Sequence, residues 1–231
     1  MAVRAAFNST HADIETREVR ISPLGLAGTL RLPHGATALV VFAHGSGSSR
    51  FSPRNTMVAE AMNAKGIATF LFDLLTVEEE DQRAKVFDIA LLAERLIDVI
   101  RWIDRERELQ PLPLGIFGAS TGAAAALVAA AKLGDRVHAV VSRGGRPDLA
   151  GAALEMVRAP TLLIVGGADY GVIALNEAAL ARLKAPKTLV IVPGASHLFP
   201  EPGALEAVIE HATGWFRHHL GAGRRAAKVQ E

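Results

Sequence analysis

LGIFGASTGAAAALVAAA, residues 114–131, passes from a short apolar run through a glycine-flanked serine into an alanine-rich segment. That order predicts a strand, a sharp turn and a helix. A serine on so tight a turn holds a strained backbone, so the positions two before and two after it must carry almost no side chain if strand and helix are to pack closely. Gly118 and Gly122 stand there, around Ser120. The helix from Ala123 to Lys132 is small-faced enough to lie against a sheet at close range. Its N-terminus points unpaired N–H groups at any charge that develops beside Ser120. The pattern also admits a plain helix cap, because a Gly- and Ala-rich chain forms G-x-S-x-G easily.

On both sides of this stretch strand and helix patterns alternate. Upstream, Glu18–Ile21 and Gly28–Leu32 read as a hairpin around Ser22-Pro23-Leu24-Gly25. Ala38–Ala43 is unbroken apolar sequence, the mark of a strand covered on both faces, and runs into His44-Gly45-Ser46-Gly47-Ser48-Ser49-Arg50. A glycine-rich loop at that end of a strand can offer backbone N–H groups to an oxyanion or a phosphate. The dinucleotide and Walker patterns both fail in it. A helix follows from Pro53 to Lys65, then a strand from Ile67 to Phe72 closed by Asp73. Glu78, Glu79, Glu80 and Asp81 read as a solvated acidic run, and residues 86–108 as a long amphipathic helix.

Downstream, strands are expected at Val137–Ser142, Thr161–Val165 and Thr188–Val192, with helices at Asn176–Leu183 and Ala204–Leu220. The short connection from Arg143 to Pro160 leaves room for one small helix over the site and no lid domain. Right-handed crossovers then give a mostly parallel sheet with helices on both faces and an N-terminal antiparallel hairpin. The expected architecture is a single α/β domain over residues 17–220, between a mobile arm (1–16) and a frayed basic tail (221–231).

Composition narrows the chemistry. Lys and Arg number 25 against 24 Asp and Glu, a net charge of +1 that gives no reason to expect a nucleic acid or an anionic membrane as partner. With no cysteine, thiolate nucleophiles, disulfides and thiolate metal sites are excluded. The first seventeen residues carry Arg4, Asp13, Glu15 and Arg17 with no apolar signal core, so the expectation is a cytoplasmic protein. Oligomeric state is not legible.

Ser120, Asp169 and His197 each follow a strand pattern, so a parallel sheet brings them to one end. In chain order they are hydroxyl, carboxylate and imidazole, the order of the α/β-hydrolase nucleophile, acid and base. With His44-Gly45, Gly118 to Gly122, Gly166-Gly167-Ala168-Asp169 and Ser196-His197 in place, nearly the whole chain resembles an α/β-hydrolase of the dienelactone-hydrolase-like group. Dienelactone hydrolases carry a cysteine nucleophile where this chain has Ser120, a difference that points away from strict lactone specificity.

The resemblance implies a serine hydrolase of small carboxylic esters, lactones or thioesters, needing neither cofactor nor metal. Ser120 would attack, His197 would carry the proton and Asp169 would orient it, with backbone N–H groups of Ser46 and Thr121 as oxyanion donors. Asp148 is a rival for the acid. His44 is read as ordering the glycine loop. Arg50, Arg54 and Arg143 are candidates for binding a carboxylate or phosphate on the substrate, or for pairing with Asp73, Asp148 or the acidic run. A peptidase or an acyltransferase would use the same residues, whereas a non-catalytic module would hold a small phosphorylated or carboxylated ligand through Gly45 to Ser49 and the arginines.

Overall fold

A buried strand needs an apolar side chain on both faces, and four segments of this chain meet that condition along their whole length. In the computed structural model, which describes residues 13–221, these are β3 (Ala38–Ala43), β4 (Ile67–Phe72), β5 (Leu114–Ala119) and β7 (Thr161–Gly166). With β1 (Ile14–Ile21), β2 (Leu26–Pro33), β6 (Val137–Arg143) and β8 (Lys187–Val192) they form one eight-stranded sheet in the order β1-β2-β4-β3-β5-β6-β7-β8. The first two strands pair antiparallel, β2 runs antiparallel to β4, and every later pairing is parallel.

The expected parallel sheet and leading hairpin are therefore present. Several boundaries differ. β1 starts at Ile14, so Ile14–Thr16, assigned from sequence to the arm, pair with Arg31–Pro33. The rest of the arm, residues 1–12, and residues 222–231 of the tail lie outside the described residues.

Helices cover both faces. On one, α4 (Ile89–Ile103) and α5 (Thr121–Leu133) bury Leu96, Ile100, Ala125 and Ala129 against Val41, Phe70 and Ile116. On the other, α1 (Pro53–Asn63) and α7 (Ala204–Gly221) enclose Phe42, Phe117 and Phe216. Two substitution-intolerant contacts set the spacing between layers. A Cβ on Gly118 would lie 2.5 Å from Ala123 Cα, and one on Gly122 would lie 2.3 Å from the Ala43 carbonyl oxygen. Thus α5 rests directly on β3 and β5, as the glycine spacing around Ser120 requires.

The segment Pro147–Met156 is 3-10 helical with a break at Gly151, and it packs Ala150 and Leu154 into the core. The small helix expected over the site is thus part of the packed body. Chain rising beside the site comes instead from Thr76 to Phe87, where the acidic run forms two four-residue helices, α2 (Val77–Glu80) and α3 (Arg83–Val86). Glu79 holds this segment down by accepting from the Thr76 N–H, Lys85 and Arg95. α4 consequently starts at Ile89, capped by Asp88, rather than at residue 86. The last parallel unit is α6 (Tyr170–Arg182), which begins six residues before the expected Asn176.

Candidate active site

β5 ends at Ala119, and the next residue carries the turn. Ser120 has φ 50° and ψ −121°, in the region that side chains avoid. The surrounding backbone over-determines it: the Ser120 N–H donates to the Arg143 carbonyl at 3.2 Å, and the Ser120 carbonyl accepts from the Arg146 N–H at 3.1 Å. Strain of this kind costs on the order of 1–3 kcal/mol and persists where neighbours fix it. Although Ser120 occupies the N-cap position of α5, its side chain makes no cap bond, so the hydroxyl is left for other work.

The carboxylate and imidazole come from the next strands along the sheet. Asp169 precedes α6 and likewise makes no side-chain cap bond; its Oδ2 accepts instead from His197 Nδ1 at 2.7 Å. That bond places the proton on Nδ1 and leaves the Nε2 lone pair free. The Asp169 side chain is largely covered and the His197 side chain about one third exposed. Asp148, the other acid considered from sequence, is taken by Arg146 in a two-pronged ion pair at 2.9 and 2.8 Å.

Gly144, with φ 50°, packs against the loop that carries His197. A Cβ there would meet the His197 carbonyl oxygen at 2.8 Å, so the two loops touch backbone to backbone. Behind His197, Phe199 is almost wholly buried at a φ of 57° and plugs the loop into the core. No hydrogen bond between Ser120 Oγ and His197 Nε2 is made among the described residues; the ring is held by Asp169.

The glycine loop after β3 reaches the same place. A Cβ on Gly45 would come within 2.9 Å of Ser120 Cβ, which explains why that position carries no side chain. The Ser46 N–H donates to Thr121 Oγ1 at 3.0 Å, so the two sequence-predicted oxyanion donors are joined through the threonine hydroxyl. Thr121 itself is the first residue of α5, whose N–H has no partner one turn back in the helix. His44 accepts from the Leu74 N–H at Nε2 (3.1 Å), which assigns its proton to Nδ1, facing the Gly45 carbonyl at 3.0 Å. Burial lowers its pKa, with the Gly45 carbonyl and Asp73 opposing the shift, and the neutral ring ties β3's loop to β4's.

A cavity of about 790 Å³ opens from this loop. Gly45, Ser46, Ser52, Pro53, Glu80 and Phe87 are among the residues that line it. The acidic run read as solvated surface therefore faces a cavity with part of its length. Burial raises the Glu80 carboxyl, with Asp73 and Asp81 adding to the effect.

The three arginines separate. Arg50 is engaged by Asp73, through both its backbone N–H and its guanidinium, and stacks over Phe51. Arg143 is only 4 % exposed and donates to Asn55 Oδ1 at 3.1 Å. Arg54 is half-buried beside it. Asn176 has no sequence motif to announce it. Fully buried in α6, it donates to the Gly145 carbonyl at 3.0 Å and the Val172 carbonyl at 2.9 Å, steadying the turn that carries Arg143 and Gly144. Its one signal in the sequence was an amide directly after the small and apolar run Gly171–Leu175.

Comparison with known proteins places the fold in a family. A sequence model of the α/β hydrolase domain matches residues 36–208. The crystal structure of a dienelactone hydrolase from Anabaena variabilis is 56% identical, superposes with a TM-score of 0.86, and covers 90% of this chain and 98% of its own. The esterase domain of a Rhodothermus marinus protein, 21% identical over 90% of this chain and 99% of its own with a TM-score of 0.69, shares the fold. Two strains of Mycobacterium tuberculosis have a protein provisionally named phosphoribosyl transferase that is 56% identical over 219 residues. The match takes in 95% of this chain and 49% of those proteins, so the chain spans about half the length of the curated relatives it matches. With the family model and a 56% identical structure agreeing over most of its length, the chain belongs to the α/β-hydrolase family and is dienelactone-hydrolase-like within it.

Proposed function

We propose that this protein is a serine hydrolase that cleaves small carboxylic esters, lactones or thioesters through an acyl-enzyme. The observation that carries the reading is the His197 Nδ1–Asp169 Oδ2 bond at 2.7 Å, at the same sheet end as a serine with φ 50°. Ser120 Oγ attacks the acyl carbon and passes its proton to His197 Nε2, while Asp169 holds the opposite ring nitrogen and stabilises the imidazolium. The proton then goes to the leaving alkoxide or thiolate as its bond to the acyl carbon breaks. Water, deprotonated by the same nitrogen, releases the acid and restores the serine.

The Oγ–Nε2 hydrogen bond must close for the first step, and such bonds often tighten only when substrate is bound. The Thr121 N–H and the Ser46 N–H are the donors for the oxyanion, each worth roughly 3 kcal/mol in other hydrolases. Thr121 Oγ1, which accepts from Ser46 N–H, keeps that donor in place until an oxyanion competes for it.

The relatives named for phosphoribosyl transfer are about twice as long, and the matched half is the one the hydrolase family model covers here. Hydrolysis is therefore the reading for this chain. A fluorophosphonate probe tests it: covalent labelling should be present in the wild type and absent in Ser120→Ala of unchanged circular dichroism. Well-folded wild-type protein that resists labelling would favour the non-catalytic alternative.

A further inference from the structure

The order of strands gives a bound ester a direction. β5, which leads into Ser120, has β3 and then β4 on one flank and β6, β7 and β8 on the other, with His197 in the loop after β8. In acyl transfer the imidazole hands its proton to the leaving oxygen or sulfur, so the leaving group lies on the β8 flank. On the reading above the oxyanion faces the Ser46 and Thr121 N–H groups. The fourth substituent of the tetrahedral carbon, the acyl chain, is left to extend toward β3 and β4.

That is the flank on which the cavity of about 790 Å³ opens. Ser120 is not part of its lining, and Gly45 is the join. Gly45 lines the cavity, and a Cβ on it would stand 3.7 Å from Ser120 Oγ, so the lining begins close to the hydroxyl. Ser46, also in the lining, is the residue whose N–H is held by Thr121 Oγ1.

Away from the glycine loop much of the lining is apolar. Leu74, Leu75 and Leu92 are buried there, and Val86 and Phe87 come from the last residue and the C-cap of α3. Phe51 and Phe87 remain 65% and 49% exposed, aromatic area that a bound apolar group would take out of water. The charged lining residues Glu80, Asp81 and Arg83 are all exposed, so water meets their charge. Two hydrogen bonds fix the surroundings: the Leu74 N–H donates to His44 Nε2 at 3.1 Å, and Arg95 of α4 donates to Glu79 of α2 at 2.9 Å. A preformed cavity of this size with an apolar lining and a few polar groups suits a small organic ligand.

We propose that this cavity is the acyl pocket, that Val86 and Phe87 set the acyl preference, and that the substrate is an ester or thioester of an uncharged, apolar acyl group. The inference rests on the hydrolase reading and names the acyl class for it. The α2–α3 segment thereby does for specificity what a lid domain would do.

The test uses two ester series. 4-Nitrophenyl acetate, butyrate and hexanoate vary the acyl chain with the leaving group fixed; ethyl, butyl and hexyl acetate, followed by acid release, vary the alcohol with the acyl group fixed. In the wild type kcat/KM should rise about three- to fourfold per acyl methylene, and less than about threefold over the whole alcohol series. Val86→Trp, which fills the cavity, should cut the hexanoate-to-acetate ratio about 10- to 100-fold. Phe87→Ala, at an exposed position, should cut it about 3- to 10-fold and keeps the test alive if Val86→Trp fails to fold. Met156→Trp, exposed and outside the cavity lining, should leave the ratio at its wild-type value.

If Ser120 takes the fluorophosphonate but the acyl series is flat, or rates follow the alcohol instead, the pocket is refuted and the hydrolase stands. A ratio unchanged in both Val86→Trp and Phe87→Ala refutes it equally. Folded protein that resists labelling yet binds Nile red, with binding lost in Val86→Trp, would keep an apolar ligand site and overturn its assignment as an acyl pocket.

Discussion

Replacing Gly122 with alanine adds one methyl group at the point where α5 rests on β3. The new Cβ would sit 2.3 Å from the Ala43 carbonyl oxygen and 2.4 Å from that of His44, where ordinary contact begins at 3.4 Å. Both obstacles are backbone in the centre of the sheet, so no side-chain rotation relieves them. The helix must back away by about 1 Å, a displacement that in a catalytic constellation costs roughly 100-fold. The packing penalty belongs at the upper end for an overfilled core, about 3 kcal/mol. For a domain of this size that lowers Tm by about 6–12 °C.

Gly214→Ala is the matched control, since Gly214 is exposed in α7 and a Cβ there meets nothing within 4 Å. It should raise Tm by about 2–4 °C through helix propensity alone. Thermal melts followed by circular dichroism, with 4-nitrophenyl butyrate turnover measured in parallel, give both quantities. A Gly122→Ala protein that melts within a degree of the wild type would show that α5 does not seat on β3 as described, and the account of the serine turn would fail with it.

Asp169→Asn should lower turnover by about 1,000- to 10,000-fold, as loss of the orienting acid does in other serine hydrolases, whereas Asp148→Asn should cost less than about threefold; reversed ranks in steady-state kinetics would transfer the acid role to Asp148. Asn176→Asp puts a carboxylate against the Gly145 and Val172 carbonyls that Asn176 now donates to; a Tm loss above about 5 °C is expected for such a buried mismatch, and an unchanged melt would remove Asn176 as the support of that turn. His44 is buried as the neutral base, so the unfolded chain binds its proton more readily and stability rises with pH. That contribution is complete above the unfolded pKa of about 6.5 and drains away as the pH falls below it. Urea midpoints at pH 7.5 and 5.5 should therefore differ more in the wild type than in His44→Asn, and equal differences would show that His44 does not titrate unfavourably.

Much of the fold was legible because burial on both faces leaves an unmistakable apolar run: β3, β4, β5 and β7 are each buried throughout. The positions of Ser120, Asp169 and His197 followed from reading what comes after such runs. β1 was only half legible, since its residues from Ile14 to Arg20 are exposed or partly so and leave no buried face to pattern. In the segment from Thr76 to Phe87 the exposure of Glu78, Glu80 and Asp81 was legible, but the two short helices and the anchoring of Glu79 were not. Four-residue helices have no periodicity, and Glu79 looks like its neighbours until Arg95, sixteen residues on, folds back to it. The fate of each arginine was similarly closed to sequence: Arg50 and Arg54 are four residues apart, yet only Arg50 meets an aspartate. Long-range partners decide such matters, and periodicity carries no information about them.

β8 stands last in the strand order, hydrogen-bonded to β7 and to nothing beyond, and the loop bearing His197 hangs from its end. Ser120 and His197 are thus anchored with unequal firmness, one in the middle of the sheet and the other at its fringe. Mild denaturant should loosen the fringe first, silencing turnover while the central strands still protect their amide protons from exchange.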